Sequence, residues 1–128
     1  MICVKYLNGL MKIIDKKFLP LNFVLAIVSD TRNESTDKSG MVLEKKIQES
    51  GHFLINKVFI KDEKLDIKKF FLNNVNEERV NVIISTGGTG LTGRDSTPEV
   101  LKKIIDKEIP GFGELFRMIS YQKIGTSA

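Results

Sequence analysis

One cysteine and one histidine in 128 residues remove several kinds of chemistry before any motif is considered. Cys3 alone cannot form an internal disulfide, and with only His52 beside it there is neither a zinc cluster nor a credible cysteine–histidine pair. His52 follows Gly51 where a helical pattern ends, and reads as the residue that opens the next strand. No apolar run approaches the ~20 residues that a membrane span requires. The opening segment MICVKYLNGLMKIID is broken too often by polar residues to form the apolar centre of a signal peptide. These absences predict a cytoplasmic protein with no membrane partner. A dense basic stripe is also missing: the net charge of +4 comes mainly from lysines spread along the chain, with only four arginines, Arg32, Arg79, Arg94 and Arg117. Without aromatic residues interleaved among them, the lysines describe a solvated surface and not a nucleic-acid interface.

What is present is a regular alternation of patterns. NFVLAIVSD, residues 22 to 30, is almost continuously apolar, as a strand covered on both faces must be. A loop, TRNESTDKSG, leads to a helix capped by Asp37 or Ser39, with Val42, Leu43 and Ile47 on its apolar side and Gly51 after it. FLINKVFI is the second strand, and DIKKFFLNNV the second helix, with Ile67, Phe70 and Phe71 on one face. VNVIIS is the third strand. Thr97 suits an N-cap with Pro98 at the first helical position, and Val100, Leu101, Ile104 and Ile105 form the buried side of that helix. The last amphipathic helix, GFGELFRMISYQ, carries Phe112, Leu115, Phe116 and Ile119. This β-α-β-α-β-α order predicts a single α/β domain, a three-layer α/β/α arrangement around a mostly parallel sheet. Residues 1–21 are an extension and lead-in; the domain occupies 22–128.

In parallel sheets ligands bind beyond the carboxyl ends of the strands. Three loops meet that edge: SDTR, KDE and GGTGLTGRD. They bring Asp30, Asp62 and Asp95 to one rim with four glycines, Gly87, Gly88, Gly90 and Gly93, and with the hydroxyls of Ser85, Thr86, Thr89, Thr92 and Ser96. Glycines leaving a strand let backbone amides face an anion, although a tight connection between strand and helix would use them too. Gly88, Gly90 and Gly93 satisfy G-x-G-x-x-G. A dinucleotide site is disfavoured because Pro98 postpones the helix and no acidic strand follows about twenty residues on. Gly88 and Gly93 have Walker A spacing, but Arg94 and Asp95 stand where lysine and a hydroxyl residue are needed. A phosphate loop carrying its own carboxylate becomes favourable when that carboxylate holds a divalent cation such as Mg²⁺.

The stretches LNFVLAIVSDTR, DKSG, ESGH, TGGTGLTGRDSTPE and GFGELFRMISYQKIGTSA are similar to the molybdopterin adenylyltransferases and their close relatives, the MoaB/Mog proteins of molybdenum cofactor biosynthesis. The GFGELFRM and IGTSA pieces resemble the B branch more than the Mog branch. The resemblance implies a compact α/β/α domain, trimeric or hexameric, that binds molybdopterin and joins AMP from Mg-ATP to its terminal phosphate with release of pyrophosphate. It places the phosphate loop on Thr86, Gly87, Gly88, Thr89 and Gly90, and the catalytic, metal-holding carboxylates on Asp95 and Asp62. Arg94, Asp30 and Glu114 are further candidates for contact with substrate. In this family the domain continues past the point matched by Ala128, so the C-terminal part of the family domain is expected to be absent here. A noncatalytic molybdopterin-binding or scaffold subunit of the same pathway is the alternative.

Overall fold

A computed structural model describes residues 2–4, 17–88 and 97–124. Its elements in chain order are β1 (Ile2–Val4), β2 (Asn22–Val28), α1 (Lys38–Glu49), β3 (Phe53–Ile60), α2 (Lys64–Val75), β4 (Val82–Gly87), α3 (Thr97–Ile104) and α4 (Phe112–Ile124). The strands form one sheet in the order β1-β4-β2-β3. β2 pairs parallel with both β3 and β4. β1, in a stretch for which the sequence suggested no element, adds an antiparallel edge beside β4, with Ile2 opposite Ile84.

The central place of β2 explains its uninterrupted apolar sequence. Alternate residues of a strand face opposite sides of the sheet. Val24, Ala26 and Val28 join Ile60, Ile67, Phe70, Phe71, Val80, Ile83, Val100 and Leu101 in one buried cluster, the core between the sheet and α2 and α3. Leu25 and Ile27 are fully buried on the other side, where α1 packs on β2 and β3. Helices on both faces of the sheet give the α/β/α layering. Within the cluster Ile67 has no exposed surface. Removing one of its methylenes by Ile67→Val is expected to cost about 1 kcal/mol, read as a lower urea midpoint with unchanged slope.

Asp37, not Ser39, caps α1: its Oδ1 accepts the Gly40 N–H at 2.9 Å. Two expectations about helix faces are corrected. Val42 is exposed, because Gly40 and Ile47 are the residues of α1 that turn inward. On α4, Leu115 and Ile119 are 52% and 46% exposed, and Met118 and Tyr121 are also exposed. The helix forms as its periodicity predicts, but no described element packs extensively against it. Phe112 and Phe116 belong to the same helix, and their side chains lie outside what is described.

His52 has the structural role expected of it. Its Nδ1 accepts the Leu21 N–H at 3.1 Å, and its ring rests between Phe18 and Phe23 at centroid distances of 5.0 and 4.9 Å. Between α2 and α3 the Lys64 and Glu99 side chains meet at 2.6 Å on the surface. The hydrogen bond from Lys64 and its charge hold the Glu99 carboxyl below its ordinary value. The small contribution of this exposed pair is therefore present at neutral pH and fades as pH falls through the lowered Glu99 value. Among the described residues no helix is long and apolar enough to cross a membrane.

Candidate functional site

The parallel register brings three strand ends together: Val28 is the partner of Ile60 on one side and of Gly87 on the other. Every residue just past those positions therefore emerges on one rim, as the topology required. Ser29 continues the ladder, its N–H donating to the Ile60 carbonyl at 2.8 Å. The Ser29 hydroxyl then accepts the N–H groups of Thr31 and Arg32 at 3.3 and 3.2 Å, which turns the SDTR segment away from the strand direction.

Asp30 and Asp62, thirty-two residues apart, touch at this rim. Asp30 Oδ1 accepts the Asp62 N–H at 3.1 Å. Asp30 is exposed, whereas Asp62 is half-buried. Asp62 Oδ1 has lost contact with solvent and has no hydrogen-bond partner among the described residues. A buried carboxylate oxygen without a partner is costly, and a hydrogen-bond donor or a cation would satisfy it.

Gly87 and Gly88 close the other side. Gly87 ends β4 with φ +90°, and a Cβ there would run into the Val28 carbonyl oxygen. At Gly88 a Cβ would strike the Thr97 hydroxyl and approach Val28 Cγ1 to 2.9 Å. The end of β4, the end of β2 and the start of α3 therefore converge at contact distance. Thr86, half-buried, pairs with Ile27 one step earlier.

This contact also corrects the expected N-cap. Thr97 is itself the first residue of α3; it is 1% exposed, and its hydroxyl has no hydrogen-bond partner among the described residues. That hydroxyl lies against the Gly88 turn and makes no capping bond to its own first turn among the described residues. The sequence signal for this role, a hydroxyl residue before proline, was visible, but its reading as a cap concealed it.

Thr89, Gly90, Arg94 and Asp95 lie outside the described residues. Glu114 sits exposed in the first turn of α4, without a hydrogen bond or ion pair to the rim residues among those described. No group of three or more histidine, cysteine, aspartate or glutamate side chains gathers in a metal-binding arrangement among the described residues. Of the candidates, Asp30, Asp62, Thr86, Gly87 and Gly88 are thus brought to one edge, and Thr97 joins them.

A second polar cluster lies below the rim and was missed by the sequence reading. Lys57, in the middle of β3 and only 10% exposed, reaches Asp37 Oδ2 at 3.3 Å and Glu44 Oε2 at 3.4 Å. Burial acts to lower its pKa, but the contacts with Asp37 and Glu44 and the Asp37 charge outweigh this and hold the ammonium above its ordinary value. Asp37 is 0% exposed, so this pair fixes the start of α1 to the sheet.

Residues 24–128 match a family described as "Probable molybdopterin binding domain". Molybdenum cofactor biosynthesis protein B of Bacillus cereus is 48% identical over 105 residues, covering 81% of this chain and 62% of the relative. The protein of the same name from Escherichia coli is 39% identical over 114 residues, covering 89% of this chain and 67% of the relative. Relative to the B. cereus protein, the chain thus spans less than two thirds of the length. A crystal structure of a molybdenum cofactor biosynthesis protein B superposes with a TM-score of 0.79 at 43% identity, covering 88% of this chain and 70% of the other. The molybdopterin biosynthesis Mog protein of Mycobacterium ulcerans superposes with a TM-score of 0.68 at 28% identity, covering 85% and 70%.

Proposed function

We propose, from the premise that this chain belongs to the molybdopterin-binding domain family of molybdenum cofactor biosynthesis proteins, that it binds molybdopterin and adenylylates it with Mg-ATP at the rim. The observation that carries this reading is the meeting of three strand ends near two buried oxygens that have no hydrogen-bond partner among the described residues, Asp62 Oδ1 and Thr97 Oγ1.

In the proposed reaction an oxygen of the pterin's terminal phosphate forms a bond to the α-phosphorus of ATP. The bond from that phosphorus to the bridging oxygen breaks, and pyrophosphate leaves with the electron pair. The protein's task is to hold two mutually repelling anions in line and to stabilise charge gathering on the leaving group. Backbone amides around Gly87 and Gly88, with Thr89 and Gly90, hold one phosphate; the Thr97 hydroxyl and the amides at the start of α3 offer further donors. Arg94 neutralises another phosphate. The buried oxygen of Asp62 fits a divalent cation, and Asp62 with Asp95 would hold Mg²⁺, as oxygen ligands suit that ion. When bound, Mg²⁺ supplies the charge that lets the two phosphates approach.

Incubation of the chain with molybdopterin and Mg-ATP is expected to give adenylylated pterin and pyrophosphate. Asp62→Ala and Asp95→Ala should each slow product formation about 100-fold, the scale of losing an electrostatic contact to the transition state. Absence of product from the wild-type chain, with pterin binding intact, would reject the catalytic half of the reading. One observation favours a second reading, a noncatalytic molybdopterin-binding or scaffold subunit: Leu115, Met118 and Ile119 of α4 are exposed, as a surface for subunit contact, including a homo-oligomer, would be. That reading predicts pterin affinity unchanged by Asp95→Ala and no pyrophosphate release.

A further inference from the structure

Asp30 was expected to contact substrate, but its geometry gives it another task. We infer that Asp30 is a positioning residue, whose Oδ1 holds the Lys61–Glu63 turn so that the Asp62 carboxylate stays aimed at the rim; this deepens, and rests on, the proposed role of Asp62 in holding a cation.

The hydrogen bonds of the turn support it. The turn between β3 and α2 has only three residues, Lys61, Asp62 and Glu63, between Ile60 and Lys64. Its near end is pinned by the Ser29 N–H to the Ile60 carbonyl at 2.8 Å, and its far end by the Ile67 N–H to the Glu63 carbonyl at 3.0 Å. Within it the Glu63 N–H donates to the Lys61 carbonyl at 2.8 Å. The Asp62 N–H is held from the neighbouring loop by Asp30 Oδ1 at 3.1 Å. The backbone amide and the side chain of Asp62 share one Cα; fixing the first restricts the second. The result is a carboxylate with one oxygen kept from solvent and without a partner among the described residues, an arrangement that a free turn would relax by turning the oxygen to water. Groups that orient a metal-holding side chain without touching the metal commonly matter for affinity at the level of 10–100-fold.

The acceptor, not the charge, does this work, which makes Asp30→Asn and Asp30→Ala the informative pair: asparagine keeps the Oδ1 acceptor and alanine removes it. Two measurements on the full chain read the effect. Amide hydrogen exchange at Asp62 without added metal is expected to quicken about tenfold in Asp30→Ala and to return close to wild type in Asp30→Asn. Binding of Mn²⁺ as a probe, followed by electron paramagnetic resonance, should weaken roughly tenfold in the alanine variant and recover in the asparagine variant. Unchanged Asp62 exchange and Mn²⁺ affinity in Asp30→Ala would overturn the inference. So would equal damage by both substitutions, which would make the Asp30 charge itself the working group. Should the wild-type chain bind no Mn²⁺, the proposed cation site fails, while the exchange measurement still decides whether Asp30 orders the turn.

Discussion

Lys57→Met is expected to destabilise the fold by about 3–5 kcal/mol, because it leaves a buried carboxylate without its counter-charge. Asp37 is the most enclosed acidic side chain among the described residues, with 0% of its surface exposed. One oxygen caps α1 through the Gly40 N–H at 2.9 Å; the other faces Lys57 Nζ at 3.3 Å. Methionine fills a volume similar to the lysine stem and packs in the same place, so the loss isolates the charge. Thermal unfolding should show a midpoint lower by more than 10 °C, at roughly 4 °C per kcal/mol for a domain of this size. The double variant Asp37→Asn/Lys57→Met keeps the capping oxygen, removes both charges, and should recover a large part of the loss. A double variant as unstable as Lys57→Met alone would show that the capped carboxylate does not depend on this lysine.

The pair also has a pH signature. The ordinary pKa of Lys57 is 10.5, and its folded value lies above this. A group whose pKa is raised by folding binds its proton more tightly in the native state. Its contribution is therefore complete below 10.5 and disappears as pH rises through the folded value. Subtracting the pH–stability curve of Lys57→Met from that of wild type should leave a plateau through neutral pH and a decline above 10.5.

Gly87→Ala is the second substitution with a large expected effect, about 3 kcal/mol or more. A φ of +90° already costs a residue with a side chain about 1–3 kcal/mol. The new methyl group would also meet the Val28 carbonyl oxygen, a backbone atom of the central strand that cannot turn aside as a flexible side chain could. Gly111→Ala provides the comparison: its φ of +91° is nearly the same, yet nothing lies within 4 Å of the added Cβ. The difference between the two losses in chemical denaturation measures the clash alone. Equal losses at both positions would mean that β2 gives way, and that Gly87 is not required for the strands to meet at the rim.

The main framework could be read from the sequence because its signals were local and strong. The apolar run Asn22–Val28 has the composition of a strand covered on both faces, and the alternation of patterns dictated parallel neighbours. From those two facts the meeting of Asp30 and Asp62 followed as a consequence of topology. Less legible were features whose cause lies in distant partners. Ile2–Val4 is too short to announce a strand and acquires its structure by pairing with Val82–Ile84. Lys57 resembles any solvated lysine in FLINKVFI until Asp37 is placed beside it. Thr97 looks like a cap because capping is what a threonine before proline does locally; the approach of Gly88 redirects it. Phosphate-loop chemistry was inferred from Thr86 through Asp95, yet only Thr86, Gly87 and Gly88 of that candidate set lie within the described residues.

The parallel arrangement has an electrostatic consequence as well. A chain that leaves each strand in the same direction must start the following helices near the same edge: α2 starts four residues after Ile60 and α3 starts where Thr97 meets Gly88. Peptide dipoles in a helix sum to a partial positive charge at its amino end. Two such ends reduce in part the repulsion that Asp30 and Asp62 present to an anion. The lysine-rich surface adds a positive background to this local field, and both are felt only over a distance set by ionic strength.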